Sequence, residues 1–165
     1  MSRQRAQITA ARRAPRQRGE LKSLVRFEIG DTCYAFDVAN VEEVVQPVET
    51  TALAHMAGDV AGVYDHRGRV TPIVDLRARF ATGRASNRTT KWILMRTEHG
   101  LVGFVVDRVL DVVGTAEQLN APPEVGPGAD VRALRAVTTI QERLVFLLDE
   151  SKLAALVRGL DLSPG

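Results

Sequence analysis

Polar and apolar positions alternate along most of the chain after residue 23, and the alternation is short-ranged. Leu24-Val25-Arg26-Phe27-Glu28-Ile29 places Val25, Phe27 and Ile29 on one side and Arg26 and Glu28 on the other, the two-residue period of a half-buried strand. Gly30-Asp31 supplies a two-residue turn and Thr32-Cys33-Tyr34-Ala35-Phe36 resumes the extended pattern, so a hairpin is expected here. In Val38–Val45 the valines at 38, 41, 44 and 45 share helical spacing, yet β-branched side chains favour strand. A helical turn running into a strand and a continuous strand both fit that segment.

The stretch Val60–Leu76 reads strand, turn, strand, with Asp65-His66-Arg67-Gly68 as the turn. Pro72 lacks an N–H and is expected at an edge, a bulge or a strand start. Residues 81–90 are small and polar, a loop or a linker between lobes. Thr97-Glu98-His99-Gly100 joins two apolar runs as another hairpin, Val109–Val113 continues extended, and Pro122, Pro123, Gly126, Pro127 and Gly128 mark an irregular segment. Gln141-Glu142-Arg143 closes a last hairpin. Asp149 or Ser151 caps a final helix running through Val157, with Leu153, Leu156 and Val157 on one face. Many short strands punctuated at intervals of about 8–12 residues predict an all-β architecture, barrel or sandwich, rather than strands alternating with long helices.

Composition changes this picture at one place. Apolar residues make up 45% of the chain and charged residues 25%, enough for a real core in 165 residues. The formal charge of +2 hides an asymmetry: residues 1–22 carry Arg3, Arg5, Arg12, Arg13, Arg16, Arg18 and Lys22 against Glu20 alone, so the leader is +6 and the remainder −4. With only Met1, Ile8 and Leu21 as large apolar residues, this leader cannot bury enough surface to offset its ordering entropy. A solvated leader is the plain reading, and contact with nucleic acid or anionic lipid is the sharper one. Aromatic content of 5% argues against stacking platforms for single strands. No apolar run approaches the ~20 residues of a membrane span, and no signal core follows the charges. Cys33 is the one cysteine, which excludes an internal disulfide and fits the cytoplasm.

Catalytic chemistry is missing from the text. His55, His66 and His99 have no metal-ligand spacing with Cys33 or a carboxylate. Ser86 lies in a polar loop and Ser151 near a helix cap, neither in a nucleophile elbow. Gly58, Gly62 and Gly68 are not followed by the Lys-Ser/Thr of a phosphate loop. Cys33 in a strand reads as a small hydrophobe. No catalytic residue, metal site, cofactor or small-molecule substrate is expected. Asp75 and Asp107 end apolar strands, where a carboxylate usually binds local N–H groups. Arg67 beside Gly68 can form a forked pair with a carboxylate, although spacing alone leaves it in solvent. Leu101-Val102-Gly103-Phe104-Val105-Val106 is apolar on both faces, so either both are buried or one receives a partner. Gly103 permits close approach there.

Two segments resemble the CheW family of chemotaxis coupling proteins. Gly62-Val63-Tyr64-Asp65-His66-Arg67-Gly68-Arg69-Val70-Thr71-Pro72-Ile73-Val74-Asp75-Leu76-Arg77 is similar to the family pattern G-V-x-N-L-R-G-x-V-x-P-[IV]-[VL]-D-L-R. Val102-Gly103-Phe104-Val105-Val106-Asp107-Arg108-Val109-Leu110-Asp111-Val112-Val113 resembles V-G-[LI]-V-V-D-x-V-x-[ED]-V-[LI]. The opening hairpin, Val41-Glu42-Glu43-Val44 and Leu147-Leu148-Asp149 follow in matching order, so the likeness spans about residues 22–157.

The resemblance implies two five-stranded β-barrel lobes on a shared hydrophobic core with short helices, one of them C-terminal. It places a CheW-like domain at 23–160, with a first lobe at about 38–90, a second at about 91–148 and the remaining ends pairing across lobes, between the leader and a tail at 161–165. It implies a non-enzymatic scaffold that joins the cytoplasmic tip of a chemoreceptor to the regulatory domain of a CheA-type histidine kinase, at the inner face of the membrane and without insertion. Val41, Glu43, Arg67, Gly103 and Val112 fall at receptor-facing or groove-shaping positions, with Glu43 and Arg67 as an ion pair. Gly62 and Val63 fall where the kinase docks. Loss of Arg67 from a partly buried pair is then expected to cost on the order of 1–3 kcal/mol. Asp65-His66 stands where the family has Asn-Leu, and Ala54-His55-Met56-Ala57-Gly58 lacks its prolines; both bear on which kinase and receptor are served, including a pilus-linked motility pathway. The competing reading is a nucleic-acid-binding β-barrel using the basic arm. Its affinity would fall steeply with salt.

Overall fold

In the computed structural model each expected hairpin forms. Described are residues 23–53, 59–80, 82, 86–114, 119–122 and 133–155; the basic leader, the stretch at 54–58, Leu156, Val157 and the tail lie outside them. The strands are β1 (Ser23–Ile29), β2 (Thr32–Asp37), β3 (Val41–Val45), β4 (Val60–His66), β5 (Arg69–Asp75), β6 (Lys91–Thr97), β7 (Gly100–Val106), β8 (Arg108–Gly114), β9 (Leu134–Ile140) and β10 (Arg143–Leu148). Two short helices follow β5 and β10, α1 (Leu76–Arg79) and α2 (Glu150–Ala154). The ambiguous valine segment resolves into both elements: a 3-10 turn at Val38–Asn40, capped by the Asp37 carboxylate accepting from Ala39 N, and then β3.

Two five-stranded sheets result, in the orders β8-β1-β2-β10-β9 and β3-β6-β7-β5-β4. All neighbours are antiparallel except β2–β10 and β5–β7. Neither sheet closes into the barrel implied by the resemblance: β8 and β9, and likewise β3 and β4, remain edges. Single bridges cover part of two of these edges, Thr51 on Val63 of β4 and Asn120 on Val137 of β9. The chain passes from one sheet to the other twice, between β2 and β3 and again at Asp107 between β7 and β8, and the polar stretch before residue 91 connects α1 to β6 within one sheet.

The shared core lies between the sheets. Phe27 and Phe36 from one and Phe104 from the other are fully buried, with Phe36 and Phe104 at 5.3 Å. Burying a side chain of this size contributes about 1.5–3 kcal/mol. Each sheet also wraps around a cluster made only of its own side chains: Leu24, Cys33, Ala35, Ala136, Val145 and Leu147 in one, Ile73, Trp92, Leu94 and Val105 in the other. The doubly apolar strand β7 is explained by this arrangement, since its two faces serve the shared core and the private cluster.

The same double coverage corrects the reading of β1 as half-buried. Arg26, assigned to an open face, is 6% exposed and forms a forked pair with Asp111 on β8, Nε to Oδ1 at 2.7 Å and Nη2 to Oδ2 at 2.6 Å. Pro72 sits inside β5, a strand flanked on both sides. Its partner Val63 commits both backbone groups to Thr51 at 2.9 Å, so the side of Pro72 lacking an N–H faces β7. The parallel ladder begins one residue later, at Ile73.

Asp75 and Asp149 are the caps of α1 and α2. Asp75 accepts from Arg77 N and is gripped by the buried Arg77 guanidinium at 2.9 and 3.0 Å. Asp149 accepts from Ser151 N and Lys152 N. Asp107 accepts from Gly30 N at 2.7 Å, tying the β7–β8 corner to the β1–β2 turn. The structural reading of both strand-ending aspartates therefore holds.

Candidate functional site

A cluster of charged side chains forms where β3 meets the tip of the β4–β5 hairpin. These elements are at opposite ends of the sheet order, so only curling of the sheet brings them together. Successive residues of a flat strand point to opposite faces, but β3 is irregular: Val41 pairs with Met95 and Glu43 with Leu94, leaving Glu42 as an extra residue. Such a bulge re-aims side chains, and both Glu42 and Glu43 reach basic partners on the hairpin.

Glu42 is the hub. It accepts from Arg96 of β6 at 2.9 Å and from Arg69 of β5 at 3.0 Å, and Arg96 also donates to the Ala39 carbonyl at 2.7 Å. Hydrogen bonds from Arg96 and then Arg69 hold the Glu42 carboxyl below the usual carboxylate range. Glu43 lies beside a guanidinium and an imidazole: Arg67 Nη2 is 3.2 Å and His66 Nε2 3.4 Å from the same Oε1. The turn is set by Arg67 and Gly68, both at positive φ (54° and 88°), and by Asp65 Oδ1 accepting from Gly68 N at 2.8 Å. Asp65 is thus a turn residue. His66 points inward, 2% exposed, with Nδ1 3.3 Å from the Tyr64 hydroxyl. Tyr64 in turn stands edge-on to Trp92 at 5.3 Å.

The residues singled out from the sequence are placed as follows. Glu43 and Arg67 form the expected ion pair, though Arg67 is 70% exposed. Val41 is half-buried against the shared core. Val112 is 59% exposed on the edge strand β8. Gly103 is buried in β7, where an added Cβ would meet Ile73 Cδ1 at 2.6 Å and Leu94 Cδ2 at 2.9 Å, so it shapes the sheet rather than touching its surroundings. Gly62 is buried at φ +144°, with a Cβ position 2.8 Å from the Thr51 carbonyl. Val63 beside it has both backbone groups bonded to Thr51. Cys33 is buried, and burial raises its thiol pKa.

Glu42 as hub was missed from the sequence, as was the Arg26–Asp111 fork. Nothing in Val-Glu-Glu-Val-Val announces a bulge, and an arginine in an alternating strand reads as solvated. The Arg26 bond holds the Asp111 carboxyl below its usual range, against the opposing effect of burial. Among the described residues no three His, Cys, Asp or Glu side chains gather as metal ligands, and no helix is long and apolar enough to cross a membrane. The surface can pair charges and present apolar edges; among the described residues it brings no nucleophile beside a base.

A family model described as a CheW-like domain matches residues 23–158. The chain is 33% identical to chemotaxis protein CheW of Klebsiella aerogenes over 129 residues, 77% of this chain and 78% of that protein. It is 32% identical to chemotaxis protein CheW of Thermotoga maritima, covering 79% and 85%. Among solved structures, the scaffolding protein TtCheW of Thermoanaerobacter tengcongensis superimposes with a TM-score of 0.74 at 25% identity, over 80% of this chain and 91% of that one.

Proposed function

Because this chain belongs to the CheW-like domain family, we propose that it acts as the coupling piece between a chemoreceptor and a CheA-type histidine kinase. It is a chemotaxis adaptor and not an enzyme; the observation that carries this is the family match across 23–158, which takes in every described strand. The nucleic-acid reading has no comparable support, since the basic leader lies outside the matched span.

The finer assignment is to partners and surfaces. The receptor's cytoplasmic tip meets the region of Val41, Glu43, Arg67 and Val112, with Gly103 setting the shape beneath. The kinase regulatory domain meets the edge near Gly62 and Val63. Support comes from the Glu43–Arg67 pair and from the edge position and exposure of Val112. The working place is the cytoplasm, at receptor arrays on the inner face of the membrane.

Co-purification with the kinase regulatory domain and receptor-tip fragments of the same organism, followed by reconstitution of receptor-controlled kinase activity, tests the reading. The expected result is a ternary complex in which receptor state changes kinase turnover only when this chain is present. Binding to neither partner would overturn it.

A further inference from the structure

We propose that His66 is a positioning residue for the Glu43 carboxylate and makes the Glu43–Arg67 pair proton-sensitive. The geometry supporting this is unusual for a strand residue at a turn. The imidazole is 2% exposed, and its Nε2 is a buried polar atom without a hydrogen-bond partner, 3.4 Å from Glu43 Oε1. Its other nitrogen is 3.3 Å from the Tyr64 hydroxyl. A neutral imidazole carries one N–H, whereas an imidazolium carries two. In the charged form both nitrogens therefore have an acceptor waiting, the Tyr64 oxygen on one side and the carboxylate on the other.

Arg67 approaches the same Oε1 from the solvent side, at 3.2 Å and 70% exposed. A charge on His66 acts through a less screened path than the exposed guanidinium does. Protonation thus draws Glu43 inward and loosens Arg67, leaving a free guanidinium at the surface; deprotonation returns the carboxylate to Arg67. The other described acids of β3 and the hairpin tip are committed elsewhere. Asp65 holds Gly68 N, and Glu42 holds Arg69 and Arg96. Histidine is suited to this exchange because imidazole ordinarily changes charge within the physiological range. The exchange within the protein is independent of any partner, while its consequence for receptor affinity rests on the function proposed above.

Heteronuclear NMR of the full chain between about pH 5 and pH 8 reads the exchange directly. The Arg67 Nε–Hε signal is expected to move with the same midpoint as the His66 ring, and to stay fixed in His66→Gln. Glu43→Gln, which keeps the histidine, is expected to uncouple the two signals. An Arg67 signal that ignores the His66 titration, or that moves equally in His66→Gln, would overturn the proposal, as would a His66 that does not titrate in that window. Receptor-tip affinity measured at both ends of the range separates the two layers. A change of about threefold or more, absent in His66→Gln, supports a role in coupling. NMR coupling accompanied by a pH-independent affinity overturns that role and leaves the exchange standing; failure to bind any receptor tip counts against the proposed function alone.

Discussion

The two sheets are wired alike, and they differ most where the charged surface forms. One runs β3-β6-β7-β5-β4 and the other β8-β1-β2-β10-β9, each a hairpin joined by a parallel contact to a second hairpin, with one further antiparallel edge strand. In chain order the second sheet is the first with its start moved, since β8, β9 and β10 precede β1 and β2 in the matching sequence. The registers carry the likeness to single residues. Val41-Glu42-Glu43-Val44-Val45 corresponds to Val109-Leu110-Asp111-Val112-Val113, with the extra residue of the bulge at Glu42 in one and Leu110 in the other. Asp75 and Asp149 cap equivalent helices, and their N–H groups bond the Asp59 and Ala133 carbonyls at 2.7 and 2.9 Å.

One neighbour decides how each edge acid is used. Asp111 lies opposite Arg26, which neutralises it inside the ladder. Glu43 lies opposite Leu94, which offers nothing, so its carboxylate reaches off the ladder to Arg67 and His66. The first sheet consequently ties its edge strand to a distant hairpin through ion pairs, while the second leaves β8 free with Val112 at 59% exposure. Val44 at the equivalent place in β3 is 39% exposed.

The largest effect is expected from forcing the likeness at Gly62. Its counterpart is Ala136, each preceding the residue that takes the edge bridge, Val63 or Val137. Ala136 is accommodated at ordinary φ, but Gly62 has φ +144° and its Cβ position is 2.8 Å from both the Thr50 side chain and the Thr51 carbonyl. Gly62→Ala combines backbone strain with a clash against backbone, and a loss of about 3 kcal/mol or more is expected. Urea denaturation checks it; a midpoint equal to that of the native chain would mean that the Thr51 strap is not fixed against β4.

How much of this could be read beforehand follows from range. The hairpins at Gly30-Asp31 and Glu98-His99 were legible because turn chemistry and two-residue alternation are local signals. The sheet memberships were not: the contacts of β5 with β7 and of β10 with β2 are parallel and non-local, and they move β6 and β7 into the sheet of β3. The Glu43–Arg67 pair came from the resemblance, since spacing alone leaves Arg67 in solvent. Arg26 was misjudged for a physical reason: period two reports that two faces exist, not that both are covered. His66, a turn residue in sequence, is buried for the same reason.

A middle-sized effect tests the neighbour rule itself. Arg26→Leu gives the second sheet the residue that the first has at Leu94, and leaves Asp111 without its fork. Asp111 is 41% exposed and recovers water, so the cost is reduced from that of a fully buried pair to about 1–2 kcal/mol. The pH signature identifies the cause. Asp111 is held below its usual range, so its stabilisation is complete above the ordinary aspartate pKa of about 3.9 and drains away as pH falls through the lowered folded value. The gap between native and variant is therefore expected to narrow below about pH 4. A gap that stays constant through that window would assign the loss to packing around residue 26.

The smallest stability effect belongs to the Glu43–Arg67 pair that the family resemblance implied. An expected cost of 1–3 kcal/mol for Arg67→Ala assumed a partly buried partner, but Arg67 is 70% exposed and Glu43 34%. An exposed pair contributes only about 0–1 kcal/mol, and His66 still faces the carboxylate from inside. Arg67→Ala is thus expected to shift the urea midpoint little while lowering receptor-dependent kinase control in the reconstituted system. This separates surface from scaffold more sharply than any buried change can, because the guanidinium is nearly dispensable to the fold. A variant that unfolds would make Arg67 a structural clasp of β3 against the hairpin, and the contrast between the ion-paired edge and the free edge would then concern stability rather than partner contact.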